Sequence, residues 1–301
     1  MSITSAPAPA SVPSSASSPL AYARDLVLLA KPRLSGLVML TTAGGLGLAP
    51  GRIGPARALL TILGTAAVVG SANALNNFLE RDIDARMRRT RDRPLPAGRV
   101  EPFVALALGV MIPAFALPLL ALVANPLTAL LAFAALAVYV CVYTPMKQRS
   151  TLALFVGAVP GAIPPLLGWT AATGRIDAGG LALFLLLFAW QLPHFLAISI
   201  YLADDYARGG LKVFALVHGE RATRTCIAAG TLALVPVSLA LVPLGVAGTA
   251  YGVVAVAAGA GLAAYALSGL GGEGGRWARN LFLATLLHLT VLFVALLLLP
   301  R

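Results

Sequence analysis

The chain has 301 residues, of which 59% are hydrophobic and 11% charged. Apolar runs of about twenty residues recur from end to end, as bilayer-spanning helices require, so a large soluble domain is excluded and a β-barrel, which needs two-residue alternation, is disfavoured. With the N-terminus in the cytoplasm, 18 of the 22 Lys and Arg residues fall in inner loops, so the net charge of +11 reflects membrane orientation and requires no nucleic-acid partner.

We predict an all-α polytopic membrane protein with about nine transmembrane helices and a cytoplasmic N-terminus. Residues 1–22 are rich in Ser, Ala and Pro, which predicts a disordered N-terminal tail and not a signal peptide, because no positive region precedes an apolar stretch. Residues 23–301 would form one transmembrane domain. Its predicted spans are residues 26–48, 56–79, 102–123, 126–145, 151–172, 181–203, 224–242, 246–268 and 278–299.

A polar stripe leaves the inner end of the second span. Asn73, Asn76, Glu80 and Asp84 follow one another at steps of three, four and four residues, which places them on one face of a helix. Asn73, Asn76 and the adjacent Asn77 lie at membrane depth, where amides are costly unless they face protein or a water-filled cavity. Beyond them, most residues from 80 to 93 are charged.

This stripe predicts a site for a metal-bound diphosphate. Carboxylate and amide oxygens are hard ligands, and Mg²⁺ typically takes one or two carboxylates together with phosphate oxygens of the substrate. Arg88, Arg89 and Arg93 on the following turns can bind phosphate bidentately. The alternative is a loop that only orients the helix and pairs its charges internally, but that interpretation leaves the buried asparagines unexplained.

The fifth and sixth spans carry further candidates. Three prolines in residues 151–172 indicate either a bent helix that lines a cavity or a helix packed through small residues. His194, within the sixth span, is either a buried hydrogen-bonding group or a ligand. Asp204 and Asp205 follow that span, with Lys212 nearby. Taken by itself, this segment is typical of a solvated loop. Four spans separate them from the first acidic cluster, however, so both clusters emerge on the same side and could form opposing walls of one site.

These motifs resemble the UbiA superfamily of intramembrane prenyltransferases, whose signature is NxxxDxxxD followed by DxxxD. Asn76, Glu80 and Asp84 match the first motif with Glu at its middle position, and the second motif is reduced to Asp204-Asp205-Tyr206. Within the superfamily, five blocks in family order resemble the protoheme IX farnesyltransferases: RDIDARMRRTRDRPLPAGR (81–99), YTPMKQRS (143–150), GAVPGAIPPLLGW (157–169), WQLPHF (190–195) and DDYARGGLKV (204–213).

The resemblance implies transfer of a farnesyl group from farnesyl diphosphate to a vinyl group of heme b, with Mg²⁺ as the cofactor, in a bacterial cytoplasmic (inner) membrane. It implies that the metal and catalytic residues are Asn76, Glu80, Asp84 and Asp205. It implies that the substrate-binding residues are Asn73, Asn77, Arg89, Arg93, Lys147, Lys212 and His194. His194 would contact the heme, and a heme A synthase or an oxidase-assembly protein is a candidate partner.

Two other interpretations remain open at this point. The same fold could prenylate another acceptor, such as a hydroxybenzoate or another tetrapyrrole, and only acceptor-pocket residues such as WQLPHF would discriminate. A transporter would explain intramembrane polar residues and proline-broken helices. It would not explain two carboxylate clusters at one water interface.

Overall fold

The computed structural model describes residues 18–272 and 275–299, and these ranges contain helices and no strand. The helices are α1 Pro19–Leu29, α2 Pro32–Leu48, α3 Pro55–Asp84, α4 Pro102–Val123, α5 Pro126–Ala137, α6 Thr144–Met146, α7 Ala153–Thr173, α8 Ala178–Tyr201, α9 Ala203–Gly209, α10 Phe214–Leu239, α11 Thr249–Leu267 and α12 Gly275–Leu298. A π-helical turn, Val138–Tyr143, joins α5 to α6.

Within the described ranges, eight helical segments are long and apolar enough to cross a membrane, with α5, the π-helical turn and α6 counted as one. The bent pair α1–α2 makes a ninth. The prediction of an all-α polytopic membrane protein with about nine spans is therefore confirmed.

The first of these spans is broken. α1 ends at Leu29, α2 begins at Pro32, and the two helices are bent by 50°. Lys31 lies between them with a left-handed backbone, φ 50° and ψ 67°, and no other non-glycine residue among those described has a positive φ. Pro32 lacks the N–H that would continue α1, and a proline disfavours the right-handed helical conformation at the residue before it. The sequence prediction treated residues 26–48 as one helix, and the structure divides them.

The predicted tail of residues 1–22 ends earlier than expected. α1 begins at Pro19, a residue well suited to the first helical position, and the Ser18 hydroxyl accepts a hydrogen bond from the N–H of Ala21 at 3.3 Å. Tyr22 packs against the buried cluster around Leu29. Residues 18–22 are therefore capped and partly packed, which corrects the prediction of disorder there. Residues 1–17 lie outside the described residues.

The segment after the sixth span is more helical than the sequence suggested. The short helix α9 occupies the predicted loop, and α10 begins at Phe214, ten residues before the predicted span. α10 is interrupted at Gly219, whose φ of 81° is a conformation that glycine adopts without steric cost. Residues 203–218 therefore form a structured layer at the end of the bundle.

α2 and α7 pack against each other through glycine. A Cβ atom on Gly45 would collide with the carbonyl of Pro165, and one on Gly168 would collide with the carbonyl of Thr42. Small residues let membrane helices approach closely. α7 contains three prolines yet remains one mostly buried helix, which favours the packing interpretation of its small residues.

Candidate active site

The ends of α3 and α8, with the segments that follow them, surround a cavity of about 250 Å³. Eight of the predicted site residues line it: Asn76, Glu80, Asp84, Arg89, Arg93, Lys147, His194 and Lys212. The other three, Asn73, Asn77 and Asp205, are not among the lining residues. One cavity thus brings together side chains from the second, fourth and sixth predicted spans.

The polar stripe of α3 is buried and every member has a partner. Asn76, Glu80 and Asp84 are 1%, 7% and 1% exposed. Glu80 Oε1 lies 2.6 Å from Lys147 Nζ, and Asp84 Oδ2 lies 2.7 Å from an Arg93 guanidinium nitrogen. Asn76 Nδ2 donates to Glu80 Oε2 at 2.9 Å. Each buried carboxylate of the stripe therefore has a cation beside it, as a buried charge requires.

The chemistry of this donor set fits Mg²⁺. Two carboxylates and an amide oxygen line one side of the cavity, and these are the ligand types that this ion prefers. In residues 18–272 and 275–299, no three His, Cys, Asp or Glu side chains are placed to hold one metal ion. An ion at the stripe would therefore complete its coordination with oxygen atoms of a bound substrate and with water.

Lys31 joins the stripe from the break in the first span. Its Nζ donates to Asn76 Oδ1 at 2.8 Å, and its side chain lines the cavity. Lys31 was not among the predicted site residues. The Lys-Pro pair was the available signal, since a proline disfavours the helical conformation at the residue before it and so marks a probable helix boundary within the apolar run.

Asn73 and Asn77 face the broken span and not the cavity. Asn73 Nδ2 donates to the carbonyl of Ala30 at 3.2 Å, and Asn77 Nδ2 donates to the carbonyl of Leu29 at 3.0 Å. These carbonyls belong to the last turn of α1 and have no continuing helix to bond. The two asparagines thus hold the break in place, and the break directs Lys31 toward Asn76.

Asp205 lies outside the cavity and binds the loop after α3. Its Oδ1 accepts from the N–H of Arg88 at 2.8 Å and from the Arg208 guanidinium at 2.7 Å, while Oδ2 accepts from the N–H of Arg89 at 3.4 Å. Burial opposes ionisation of Asp205, but the hydrogen bonds from Arg208, Arg88 and Arg89 together lower its pKa below the ordinary 3.8. The structure therefore brings the two acidic clusters together, with Asp205 supporting the loop that carries Arg89.

Tyrosines form a wall of the cavity that the sequence analysis missed. Tyr139 and Tyr143 lie in the π-helical turn with their ring centroids 5.3 Å apart, and Lys147 Nζ lies 4.7 Å from the centroid of the Tyr143 ring. Tyr206 lines the cavity as well. The four-residue spacing of Tyr139, Tyr143 and Lys147 was the available signal. A π-helical turn within an α-helix often marks a functional site.

His194 lines the cavity from α8 and is 8% exposed. Its ring stacks between Trp190 and Phe282, with centroid distances of 4.6 Å on both sides. Its Nδ1 lies 2.8 Å from Thr285 Oγ1. Contacts to α12 therefore fix the orientation of this imidazole.

The sequence profile of the UbiA prenyltransferase family matches residues 38–287, which is most of the chain. The chain belongs to the UbiA prenyltransferase family. It is 74% identical, over 279 residues, to a curated protein of Anaeromyxobacter sp. (strain Fw109-5) named protoheme IX farnesyltransferase, and the match covers 93% of this chain and 94% of that protein. This UbiA-family chain is accordingly a prenyltransferase.

Two solved structures share the fold. A structure described as digeranylgeranylglyceryl phosphate synthase superposes with a TM-score of 0.77 at 14% identity, covering 92% of this chain and 98% of that one. A UbiA homologue from Archaeoglobus fulgidus, bound to DMAPP and Mg²⁺, superposes with a TM-score of 0.61 at 17% identity, covering 92% and 99%. At these identities the likeness establishes the UbiA fold of the chain.

Proposed function

We propose that this UbiA-family prenyltransferase transfers the farnesyl group of farnesyl diphosphate to a vinyl group of heme b and so makes heme O. One observation carries the proposal: a single cavity is lined by an acidic stripe with cations beside it and by a histidine held on a different helix. The cations beside the acidic stripe suit a diphosphate, and the histidine suits an iron porphyrin. The name of the 74% identical relative supports the same reaction.

The diphosphate would bind between the stripe and the cations around it. Lys147 and Arg93 pair with the two carboxylates of the stripe, Lys31 bonds the amide of Asn76, and all three cations can turn toward phosphate oxygens. When bound, Mg²⁺ supplies the positive charge that stabilises the departing diphosphate, and Asn76, Glu80 and Asp84 would hold it. The Mg²⁺ and DMAPP bound by the Archaeoglobus fulgidus homologue support this assignment.

The reaction would proceed through an allylic cation. The bond between farnesyl C1 and the diphosphate oxygen breaks, and both electrons stay with the diphosphate. The π electrons of the heme vinyl group form the new bond to C1, water adds to the resulting cation, and a proton is released. The rings of Tyr139 and Tyr143 offer π faces that attract a cation. Leu154, Phe195 and other apolar lining residues limit access of water to the cation before attack.

His194 would bind the acceptor. A neutral imidazole is a common axial ligand of heme iron. We propose that His194 contacts the iron and thereby orients the vinyl group toward farnesyl C1. The residue is buried among the rings of Trp190, Phe195 and Phe282, which suits a porphyrin better than a diphosphate.

We further propose that the enzyme works in a bacterial cytoplasmic membrane with the diphosphate end of its cavity facing the cytoplasm. The concentration of 18 of 22 Lys and Arg residues in the loops of that side supports this orientation. Farnesyl diphosphate, a charged and water-soluble headgroup on an apolar chain, would then enter with its charged end at the aqueous surface.

Membranes that contain the protein, incubated with heme b, farnesyl diphosphate and Mg²⁺, should form heme O, detected by chromatography and mass. A metal chelator should abolish the product, and Mg²⁺ added in excess should restore it. A parallel incubation with hydroxybenzoate in place of heme b tests the other acceptor class. Prenylated hydroxybenzoate without heme O would reject the proposed acceptor.

A further inference from the structure

The imidazole of His194 contacts Thr285 and Phe282 of α12 and Trp190 of α8. Thr285 is fully buried, and its backbone carbonyl accepts a hydrogen bond from Trp190 Nε1 at 2.7 Å. Trp190 and Phe282 cover the two faces of the imidazole ring. The ring plane of His194 is therefore set by two aromatic residues, and one edge of the ring is set by the Thr285 hydroxyl.

The direction of these hydrogen bonds determines which ring nitrogen carries the proton. Thr285 Oγ1 lies 2.7 Å from the carbonyl oxygen of Phe282, and a carbonyl can only accept, so the single hydroxyl proton of Thr285 is used there. The contact of Thr285 Oγ1 with His194 Nδ1 at 2.8 Å then requires that Nδ1 carries a proton and donates it. In a neutral imidazole, the other nitrogen, Nε2, consequently holds the lone pair.

We infer that Thr285 is a positioning residue that holds His194 with its proton on Nδ1, so that Nε2 is the ligand for the iron of the acceptor. The inference rests on the proposed heme acceptor and adds a basis for specificity. An acceptor site that coordinates the iron binds a metalloporphyrin more tightly than the metal-free porphyrin of the same shape. A hydrogen bond to the far nitrogen of a ligating histidine fixes its tautomer and orientation, and its loss typically lowers metal affinity by about 10- to 100-fold.

The test compares the binding of ferric heme b and of iron-free protoporphyrin IX to the purified protein in detergent. Thr285→Val removes the hydroxyl and keeps the side-chain shape. We expect it to weaken heme binding by about 10- to 100-fold, to change the Soret band, and to leave the affinity for protoporphyrin IX within about twofold. Thr285→Ser restores the hydroxyl and should restore both the heme affinity and the spectrum.

Thr290 supplies a matched control on the same helix. Its hydroxyl donates to the carbonyl of Leu286 at 2.9 Å and it is exposed, so Thr290→Val removes an equivalent helical hydrogen bond away from the imidazole. We expect this variant to bind both porphyrins as the wild type does. Binding of farnesyl diphosphate serves as the folding control for every variant, and Thr285→Ala is the second variant if Thr285→Val fails it.

Two results would overturn the inference while leaving the proposed function intact. Thr285→Val could bind heme with wild-type affinity and spectrum, or it could weaken heme and protoporphyrin IX equally, as a purely structural role predicts. Failure of the proposed function gives a different pattern. In that case the wild-type protein makes no heme O and binds heme no more tightly than the metal-free porphyrin, and His194→Ala changes neither affinity.

Discussion

At the scale of single residues, Asp82 and Asp84 are two positions apart on α3 and differ in their exposure and in their partners. The Asp82 side chain is 78% exposed and lies 3.7 Å from Arg81, whereas Asp84 is buried against Arg93 and lines the cavity. The same charge is therefore solvated in one case and held inside a cation-rich site in the other. An exposed ion pair contributes little, and a buried carboxylate in a site has a specific use.

Asp84→Asn should reduce heme O formation by at least about 100-fold, as the removal of a charge that acts in the transition state typically does. The side-chain size is retained, so the protein should still accumulate in the membrane. Asp82→Asn is the matched control, and product formation should stay within about twofold of wild type. Product formation is measured in membranes with equal amounts of each variant. Near-normal activity of Asp84→Asn would contradict the proposed role.

The sequence allowed part of the site to be predicted for a definite reason. Helical periodicity places Asn76, Glu80 and Asp84 on one face whatever the rest of the fold does. Lys31 could not be assigned in this way, because its contact with Asn76 depends on a break 45 residues earlier in the chain. The proximity of Asp205 to the first cluster was anticipated, but its bonding to backbone amides of the next loop was not.

At the scale of elements, the broken first span combines a strained backbone with a side chain that lines the cavity. A left-handed conformation costs a non-glycine residue about 1–2 kcal/mol. Lys31 retains it because Asn73 and Asn77 bind the carbonyls on one side of the break and Pro32 begins the helix on the other. The backbone of Lys31 and its charge can therefore be tested separately.

Lys31→Gly and Lys31→Ala should lose affinity for farnesyl diphosphate to a similar extent, because both remove the ammonium group. Lys31→Gly should be more stable than Lys31→Ala by about 1 kcal/mol, because only glycine adopts a φ of 50° without strain. KM for farnesyl diphosphate and thermal unfolding in detergent measure the two effects. Equal stability of the two variants would mean that the backbone at residue 31 is not strained.

Hydropathy predicted the spanning elements well because the bilayer demands a fixed length of apolar helix. It failed where local chemistry decides the ends of helices. Pro32 divides an apolar run that hydropathy treats as continuous, and α10 begins ten residues before the predicted span and is interrupted at Gly219. The π-helical turn that presents Tyr139 and Tyr143 has no hydropathy signal at all.

At the scale of the whole molecule, Asp205 connects parts of the chain that are 117 residues apart. Its carboxylate binds the backbone N–H of Arg88 in the loop after α3, and that loop also carries Arg89 and Arg93, which line the cavity. The first half of the chain thus supplies most of the cations of the site, the second half adds Lys212, and Asp205 holds the loop that carries Arg89 and Arg93.

Asp205→Asn should loosen the loop and speed tryptic cleavage after Arg88 and Arg91 at neutral pH, as measured by mass spectrometry of the fragments. Asp204→Asn, at the adjacent exposed position, is the matched control and should be cleaved like wild type. Unchanged cleavage of Asp205→Asn would show that the loop is held by other contacts.

The stability of the loop after α3 should depend on pH through the same carboxylate, that of Asp205. The pKa of Asp205 is lowered in the folded protein, so its contribution to stability is present above about pH 4 and is lost as the pH falls through the lowered pKa. Hydrogen exchange of residues 85–93 should therefore increase below about pH 4 in wild type, and Asp205→Asn should show little change across that range. An identical rise in both proteins would assign the effect to another group.

The division of the first span also bears on how the protein is made. α1 has 11 residues, about 16 Å of helix, which is too short to cross a hydrocarbon core of roughly 30 Å. The side-chain amide that binds the Leu29 carbonyl lies 48 residues further along the chain, on α3, whereas the Ala30 carbonyl also accepts a hydrogen bond from the nearby Ser35 hydroxyl at 2.7 Å. During synthesis the Leu29 carbonyl therefore lacks this partner until α3 has left the ribosome. We therefore expect α1 and α2 to adopt their bent arrangement only once α3 has been inserted beside them.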